Sequence, residues 1–328
     1  MMKLIEYNIY VRNGRDASSK AKQDVSRILH SLGYRKLYNP SQYRLIRIVQ
    51  QFLSILFIEK DSVLVIQYHS NISFFYRLIG FFKKVKKIAV IHDLESLRGN
   101  ISVRKEISLL NGFDQIISHN PCMTKFLNDN GLTKPIFNLM IFDYLLNEKI
   151  KITNNFNRYS IFFAGNLVKS AFLMKLFRIK DIQFNIYGAD YDGIESLKSQ
   201  SNVNYKGSYS PEQLIANIEG GWGLVWDGES LDTCSGITGK YLRYNNPHKV
   251  SMCIASERPV IIWSQSAMAD YILSNELGIV IDSLMDLPAK IAQITAAKYN
   301  EMLANVKKEK KILIRGGQLK KVLADMNL

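Results

Sequence analysis

Ser160-Ile161-Phe162-Phe163-Ala164-Gly165-Asn166-Leu167-Val168-Lys169 reads as a buried strand, a glycine turn and a helix start. Four consecutive apolar residues suit a strand covered on both faces, the strand type of parallel sheets. Glycine at the turn lets backbone N–H groups approach a ligand. A helix over 167–177 then puts Lys169 in its first turn, an unfavourable place for a cation unless an anion is near. Gly165, Asn166 and Lys169 are therefore candidate phosphate contacts, with a solvated Lys169 as the alternative.

Working outward, strand-like and helix-like segments alternate along the whole chain, the signature of parallel α/β sheets. Downstream, strands are expected at 184–187, 203–206, 224–226, 260–263 and 278–281. Helices are expected at 211–219, 249–255 and 267–274, and closing helices within 299–326. Upstream, strands are expected at 3–10, 63–68, 87–92, 113–118 and 135–140, with helices at 17–32, 74–82 and 120–130. The apolar run 52–58 reads as a strand or a core-helix piece. The polar stretch 147–158 carries no apolar period and serves as the linker. It divides the chain into domains over 1–150 and 151–310, with a closing helix over 311–328. The fold class predicted is α/β: two Rossmann-like domains facing each other across a cleft, with sites in the loops after the strands.

The 328 residues, 47% of them apolar, are enough for two such cores. The opening MMKLIEYNIYVRNGRD turns polar too soon for a signal peptide, and no apolar run approaches the ~20 residues of a bilayer span. A cytoplasmic protein is expected. Three scattered cysteines with no CxxC pair, and five histidines with no HExxH, argue against a metal site or a disulfide framework. A net charge of +14, from 43 Lys and Arg against 29 Asp and Glu, favours anionic partners. Neither aromatic-basic interleaving nor a helix-turn-helix signature is present, so nucleic acid is not expected among them.

Five further runs carry candidate chemistry. Asn13-Gly14-Arg15-Asp16-Ala17-Ser18 lies between the first strand and first helix. Asn13, Gly14 and Ser18 could face a ligand there, although the run is neither GxGxxG nor a P-loop and a plain helix cap is the alternative. Tyr187-Gly188, with Gly207-Ser208-Tyr209-Ser210-Pro211, offers Tyr187 and Tyr209 as a wall for a base, or is an ordinary strand-to-helix connection. Tyr244-Asn245-Asn246-Pro247-His248-Lys249 puts Tyr244, Asn246 and Lys249 at a helix start, which suits a pyrophosphate. Ser264-Gln265-Ser266-Ala267 places Ser266 and Ala267 at a helix N-terminus. Finally, Ile91-His92-Asp93-Leu94-Glu95-Ser96-Leu97-Arg98 sets His92, Asp93 and Glu95 at a strand end. An imidazole or carboxylate there could deprotonate an acceptor hydroxyl; a capping Asp among surface charges is the alternative.

The run Asn-Pro-x-Lys before a helix ending Ala-Ser-Glu-Arg-Pro-Val-Ile resembles the donor-binding stretch of GT-B glycosyltransferases. The 91–98 run, Tyr241 to Lys249 and the Trp263 strand resemble a narrower bacterial family. Its members extend O-linked N-acetylglucosamine on serine-rich repeat adhesins, and galactofuranosyltransferase-like enzymes are related to them. The resemblance implies transfer of a hexose from UDP-glucose or UDP-N-acetylglucosamine without a metal or other cofactor, and a homo-oligomer, dimer or tetramer. It implies a glycosylated serine-rich adhesin as acceptor. It places Asn246, Lys249 and Lys169 on the phosphates, Tyr209 on the uracil, and the 13–18 loop on the acceptor side. The alternative is a galactofuranosyl- or hexosyltransferase acting on a lipid-linked polysaccharide intermediate, the positive charge then serving peripheral membrane contact. One departure matters. Many GT-B enzymes carry a ribose-binding glutamate three residues after the lysine, and Met252 stands there, unable to accept those bonds. An inverting mechanism is then expected, with Asp93 (or His92 or Glu95) as base and with Lys249, Lys169 and the Ser266 helix end stabilising departing UDP.

Overall fold

The computed structural model describes residues 3–7, 17–68, 84–148, 150–152 and 157–328. The chain divides into two compact units, one from Met1–Gly14, Ala21–Met140 and Gln318–Leu328, the other from Arg15–Lys20 and Ile141–Gly317. Each contains one six-stranded sheet whose described pairings are all parallel.

The strands of the first unit are β1 (Lys3–Tyr7), β2 (Arg35–Lys36), β3 (Ser62–Tyr68), β4 (Lys86–Ile91), β5 (Gln115–Ser118) and β6 (Ile136–Asn138). They lie in the order β2-β1-β3-β4-β5-β6. β3, with the sequence SVLVIQY, is buried at every position, as a central strand covered on both faces must be. The helices of this unit are α1 (Ala17–Ser31, whose first four residues group with the other unit), α2 (Arg44–Ile55), α3 (Val103–Leu110) and α4 (Pro121–Asp129). α4 starts where its sequence dictates: the Asn120 side chain accepts from Met123 N at 2.9 Å, and Pro121 occupies the first turn.

The second unit holds β7 (Ser160–Ala164), β8 (Gln183–Tyr187), β9 (Val203–Gly207), β10 (Trp222–Val225), β11 (Val260–Trp263) and β12 (Gly278–Ile281). Their order, β12-β11-β10-β7-β8-β9, is the Rossmann order, and it reverses between β7 and β10. The helices are α5 (Ile194–Lys198), α6 (Pro211–Asn217), α7 (Gly236–Tyr241), α8 (His248–Ala255), α9 (Ala269–Ser274), α10 (Leu287–Gln293) and α11 (Ala296–Leu313). α12 (Gly317–Asp325) then returns to the first unit. α8 is buried from Val250 to Ala255. It lies so close to β10 that any side chain at Gly223 would overlap the Cys253 sulfur. Behind it, the fully buried Arg258 donates to Gly220 O at 2.6 Å, Ser256 O at 2.7 Å and Ile218 O at 3.3 Å.

Two expectations need correction. The helix expected over 167–177 is a 3-10 helix, Ala171–Arg178, so Lys169 precedes it. The apolar run 52–58 is core only in part: it closes α2 with Ile55 buried and Ile58 packed against the core, and leaves Phe52, Leu53, Leu56 and Phe57 exposed. The helix expected over 74–82 lies outside the described residues.

Candidate functional site

Loops after adjacent parallel strands collect at the point where a sheet's order reverses. In the second unit Gly165 follows β7, Trp226 and Asp227 follow β10, and Lys249 is the second residue of α8. Lys249 Nζ donates to Asp227 Oδ1 at 2.6 Å and to Trp226 O at 3.2 Å, and lies 4.6 Å from the centre of the Phe163 ring. The two charged side chains are 15% and 21% exposed. A Cβ on Gly165 would stand 3.0 Å from Lys249 Cε, so the backbone passes directly against the lysine stem. Gly188, just past β8, supports that turn from behind: a Cβ there would come within 2.6 Å of Gly165 O and of Leu167 Cγ. The result is a half-shielded ammonium at a helix start beside an exposed glycine turn. That arrangement suits an anion.

Other expected contacts sort into two groups. Asn246 is buried beside Lys249, and Tyr244 is half-buried in the preceding turn. Asn166 is exposed and its Oδ1 accepts from Lys169 N at 3.3 Å, shaping the turn that carries the exposed Lys169. Tyr209 is half-buried ahead of α6, its ring 6.1 Å from that of Tyr187. Met252 is buried inside α8 among Val250 and Ile254, so no ribose acceptor stands there.

Three expected contacts are structural instead. Tyr187 is 2% exposed, its hydroxyl donating to Asn217 O at 3.1 Å and accepting from Glu219 N at 2.9 Å. Burial pushes its pKa up to about 12, as suits a strut of the core rather than a wall for a base. At Ser266 and Ala267 the helix starts later than expected, at Ala269. Their amides are taken, Ser266 N by Trp263 O at 3.0 Å and Ala267 N by Leu242 O at 2.8 Å, so neither is offered to an anion. Asn13, Gly14 and the Ser18 side chain lie outside the described residues.

In the first unit the 92–98 loop follows β4. His92 is buried, with Nε2 at 2.7 Å from Gln67 Oε1. Gln67 Nε2 donates to Glu6 Oε1 at 3.0 Å, which orients the amide and leaves its oxygen to accept from His92 Nε2–H. In the neutral form of the ring that bond leaves the lone pair on Nδ1. Asp93 Oδ2 and Glu95 Oε1 share Arg98 Nη1 at 3.1 and 3.4 Å, and Glu95 also accepts from Asn100 Nδ2. Of the two carboxylates Asp93 is the more exposed, 29% against 16%. The buried Glu106 organises the loop, accepting from Glu95 N at 3.0 Å and Ser96 N at 2.9 Å, while burial raises its own pKa.

The candidates that the sequence offers do not include Asp227, Glu106 or Gln67. Asp227 had a signal, an acid directly after an apolar strand. Gln67 and Glu106 had none, because their partners are brought to them only by the fold. A separate cavity of about 610 Å³ opens among Leu146, Ile150, Ile215, Lys307, Lys310 and Arg315, and Lys249 is not part of its wall.

Residues 161–326 match the family described as "Glucosyltransferase 3-like, C-terminal domain", and residues 4–141 match "Glucosyltransferase 3-like, N-terminal domain". The chain belongs to the glucosyltransferase 3-like family. This glucosyltransferase 3-like chain is 31% identical to the β-1,6-galactofuranosyltransferase WbbI of Escherichia coli (strain K12), over 95% of its own length and 94% of WbbI. It is 26% identical to Glucosyltransferase 3 of Streptococcus gordonii, over 99% of itself and 98% of that protein. Among solved structures it resembles an S. aureus TarM mutant in complex with fondaparinux, α-GlcNAc-glycerol and UDP. The TM-score is 0.56 at 17% identity, covering 85% of this chain and 58% of TarM. The glucosyltransferase 3-like protein is thus a glycosyltransferase with the two parallel-sheet α/β domains of the GT-B fold.

Proposed function

We propose that this enzyme transfers a hexose from a UDP-sugar to a saccharide hydroxyl, with the diphosphate bound at Lys249. The observation that carries the reading is the Lys249 ammonium, fixed by Asp227 and Trp226 O against Gly165 where the Rossmann sheet reverses. The UDP in the TarM complex supports the same donor chemistry. Asn246, Asn166 and Lys169 line the diphosphate and Tyr209 receives the base. Asp93 accepts the proton of the acceptor hydroxyl as that oxygen bonds the sugar's anomeric carbon, and the bond from that carbon to UDP breaks with inversion. Lys249 and Lys169 stabilise the charge that gathers on UDP, in place of a metal ion.

Two acceptors are supported by different relatives. The higher identity to WbbI, 31% against 26%, favours the galactofuranosyltransferase reading, for which we propose a lipid-linked polysaccharide intermediate as acceptor. The kinship with Glucosyltransferase 3 favours glucosyl transfer, for which we propose a GlcNAc-bearing serine-rich adhesin as acceptor. We place the enzyme in the cytoplasm as a homo-oligomer. The test is UDP release from a panel of UDP-hexoses, with a GlcNAc-modified serine-rich peptide and a lipid-linked GlcNAc analogue as rival acceptors. NMR of the product then reads the anomer. Absence of UDP binding and of release with every donor would sink the reading, and a product keeping the donor's anomeric configuration would sink inversion.

A further inference from the structure

α2 is an amphipathic helix packed the wrong way round. The side turned toward the first unit is mostly polar: Arg47, Gln50 and Gln51 are half-buried and Ser54 is buried, with Ile55 alone of the helix's apolar residues in the core. Arg47 Nη1 donates to Ser41 O at 2.9 Å, and Gln50 Oε1 accepts from Ser41 N at 2.8 Å. The apolar side faces outward, with Leu45, Val49, Leu53 and Leu56 at 79, 56, 52 and 77% exposure. Phe52 and Phe57 are exposed with them, and Ile46 and Ile48 widen the stripe. The spacing of residues 45, 49, 52, 53 and 56 puts them along one helix face. Monomers rarely expose contiguous apolar patches beyond a few hundred Å² unless something binds there.

Charge selects the occupant. The first unit carries 21 Lys and Arg against 10 Asp and Glu, a net +11 of the chain's +14. Around the helix Arg35, Lys36 and Lys60 are exposed, Arg35 pairing with Glu59, while Asp61 follows Lys60 and Arg47 is turned inward. A second copy laid on this face would bring the same positive unit against itself, whereas an anionic bilayer brings the opposite sign and an apolar interior. We propose that α2 docks the first unit onto anionic lipid, its axis in the plane of the membrane and its apolar side in the acyl boundary. That is the geometry of interfacial helices. The proposal holds whichever hexose and acceptor the enzyme uses.

The test is co-sedimentation of the full chain with vesicles of phosphatidylcholine alone or mixed with phosphatidylglycerol. Wild type should bind the mixed vesicles at least about tenfold more tightly than the neutral ones, and about 0.5 M salt should remove most of that gain. Leu53→Asp with Leu56→Asp should weaken binding about tenfold or more while melting temperature and UDP release on a soluble acceptor stay at wild-type values. Lys36→Glu with Lys60→Glu, which leaves the helix untouched, should remove the preference for anionic lipid. The proposal is overturned if wild type ignores phosphatidylglycerol or if the leucine variant binds as wild type does. It is equally overturned if that variant turns a larger assembly into monomer with vesicle binding intact, since a second copy would then cover the face.

Discussion

Replacing Lys249 by methionine keeps the stem that packs on Phe163 and Gly165 and removes the ammonium alone. In the ligand-free protein Asp227 then loses a partner at 2.6 Å. The pair is 15% and 21% exposed, between a surface ion pair and a fully buried one, so the stability lost is about 1–3 kcal/mol. A charge-assisted hydrogen bond to a diphosphate contributes about 1.5–3 kcal/mol, so Kd for UDP should rise about 10- to 150-fold. Charge on UDP grows as the glycosidic bond breaks, and kcat should fall by a further 10²–10³, about what one missing oxyanion donor costs. Asp227→Asn in the same chain separates folding from binding. Asparagine needs no counter-ion, so the melting temperature should recover while UDP affinity and kcat stay low. Calorimetric titration with UDP, thermal melts and initial rates read the three quantities. A folded Lys249→Met protein whose Kd stays within about threefold of wild type would refute the assignment.

Gly188→Ala should push the Gly165 turn aside at an overpacking cost of about 1–3 kcal/mol, weakening UDP binding about tenfold with secondary structure intact; unchanged affinity would show that the turn is not a ligand contact. Arg258→Met strips the donor from three buried carbonyls and should destabilise the second unit by about 3–5 kcal/mol in urea. All three tryptophans (222, 226, 263) lie in that unit, so their fluorescence reports its unfolding alone, and a change below about 1 kcal/mol would contradict the strut role. Burial holds the His248 pKa down at about 3, with nearby Lys20 adding to the effect. Below the unfolded value near 6.5 only the unfolded chain takes up that proton, so stability falls as pH drops from about 6.5 toward 3, by about 1 kcal/mol between pH 7 and 5.5. His248→Gln should flatten that share of the slope, and an identical slope in both proteins would be against it. Asp93→Asn should lower kcat by about 10²–10⁴ with little change in KM for the donor; retention of activity within about threefold would pass the base role to His92 or Glu95.

The strands were legible because their burial is written locally. Ser160–Ala164, Val260–Trp263 and Gly278–Ile281 each form a short, mainly apolar run ended by a turn residue, and each was placed without error. Elements below the reach of helical periodicity were not. β2 is two exposed polar residues that pair only because β1 lies beside them, and α5, α7 and α10 are five to seven residues long. α2 misled for a different reason: its apolar content implied a core position, but burial in a fold is decided by what packs against a face. The site divided likewise. Lys249 and Gly165 advertise themselves by residue type and position, whereas Gln67 and Glu106 act through partners 25 to 61 residues away for Gln67 and 10 to 38 for Glu106.

Distance from the reversal point in the second sheet explains which candidates gather. Gly165 and Asp227 follow β7 and β10, the two strands that flank it, and α8 brings Lys249 back over the same ends. Ser266 and Ala267 follow β11, one strand further out, where the chain spends their amides on Trp263 O and Leu242 O. Tyr187 ends β8, one strand out on the other side, and its hydroxyl ties that edge to the turn after α6. At the reversal, too, backbone donors are spent, Gly165 N on Tyr187 O at 3.1 Å and Phe172 N on Gly228 O at 3.3 Å, so what is offered to a ligand there is the Lys249 ammonium. The rule for reading such a chain is therefore topological: a lysine returned over the strand ends at the reversal counts as a candidate contact, and a glycine there counts for the room it leaves that side chain.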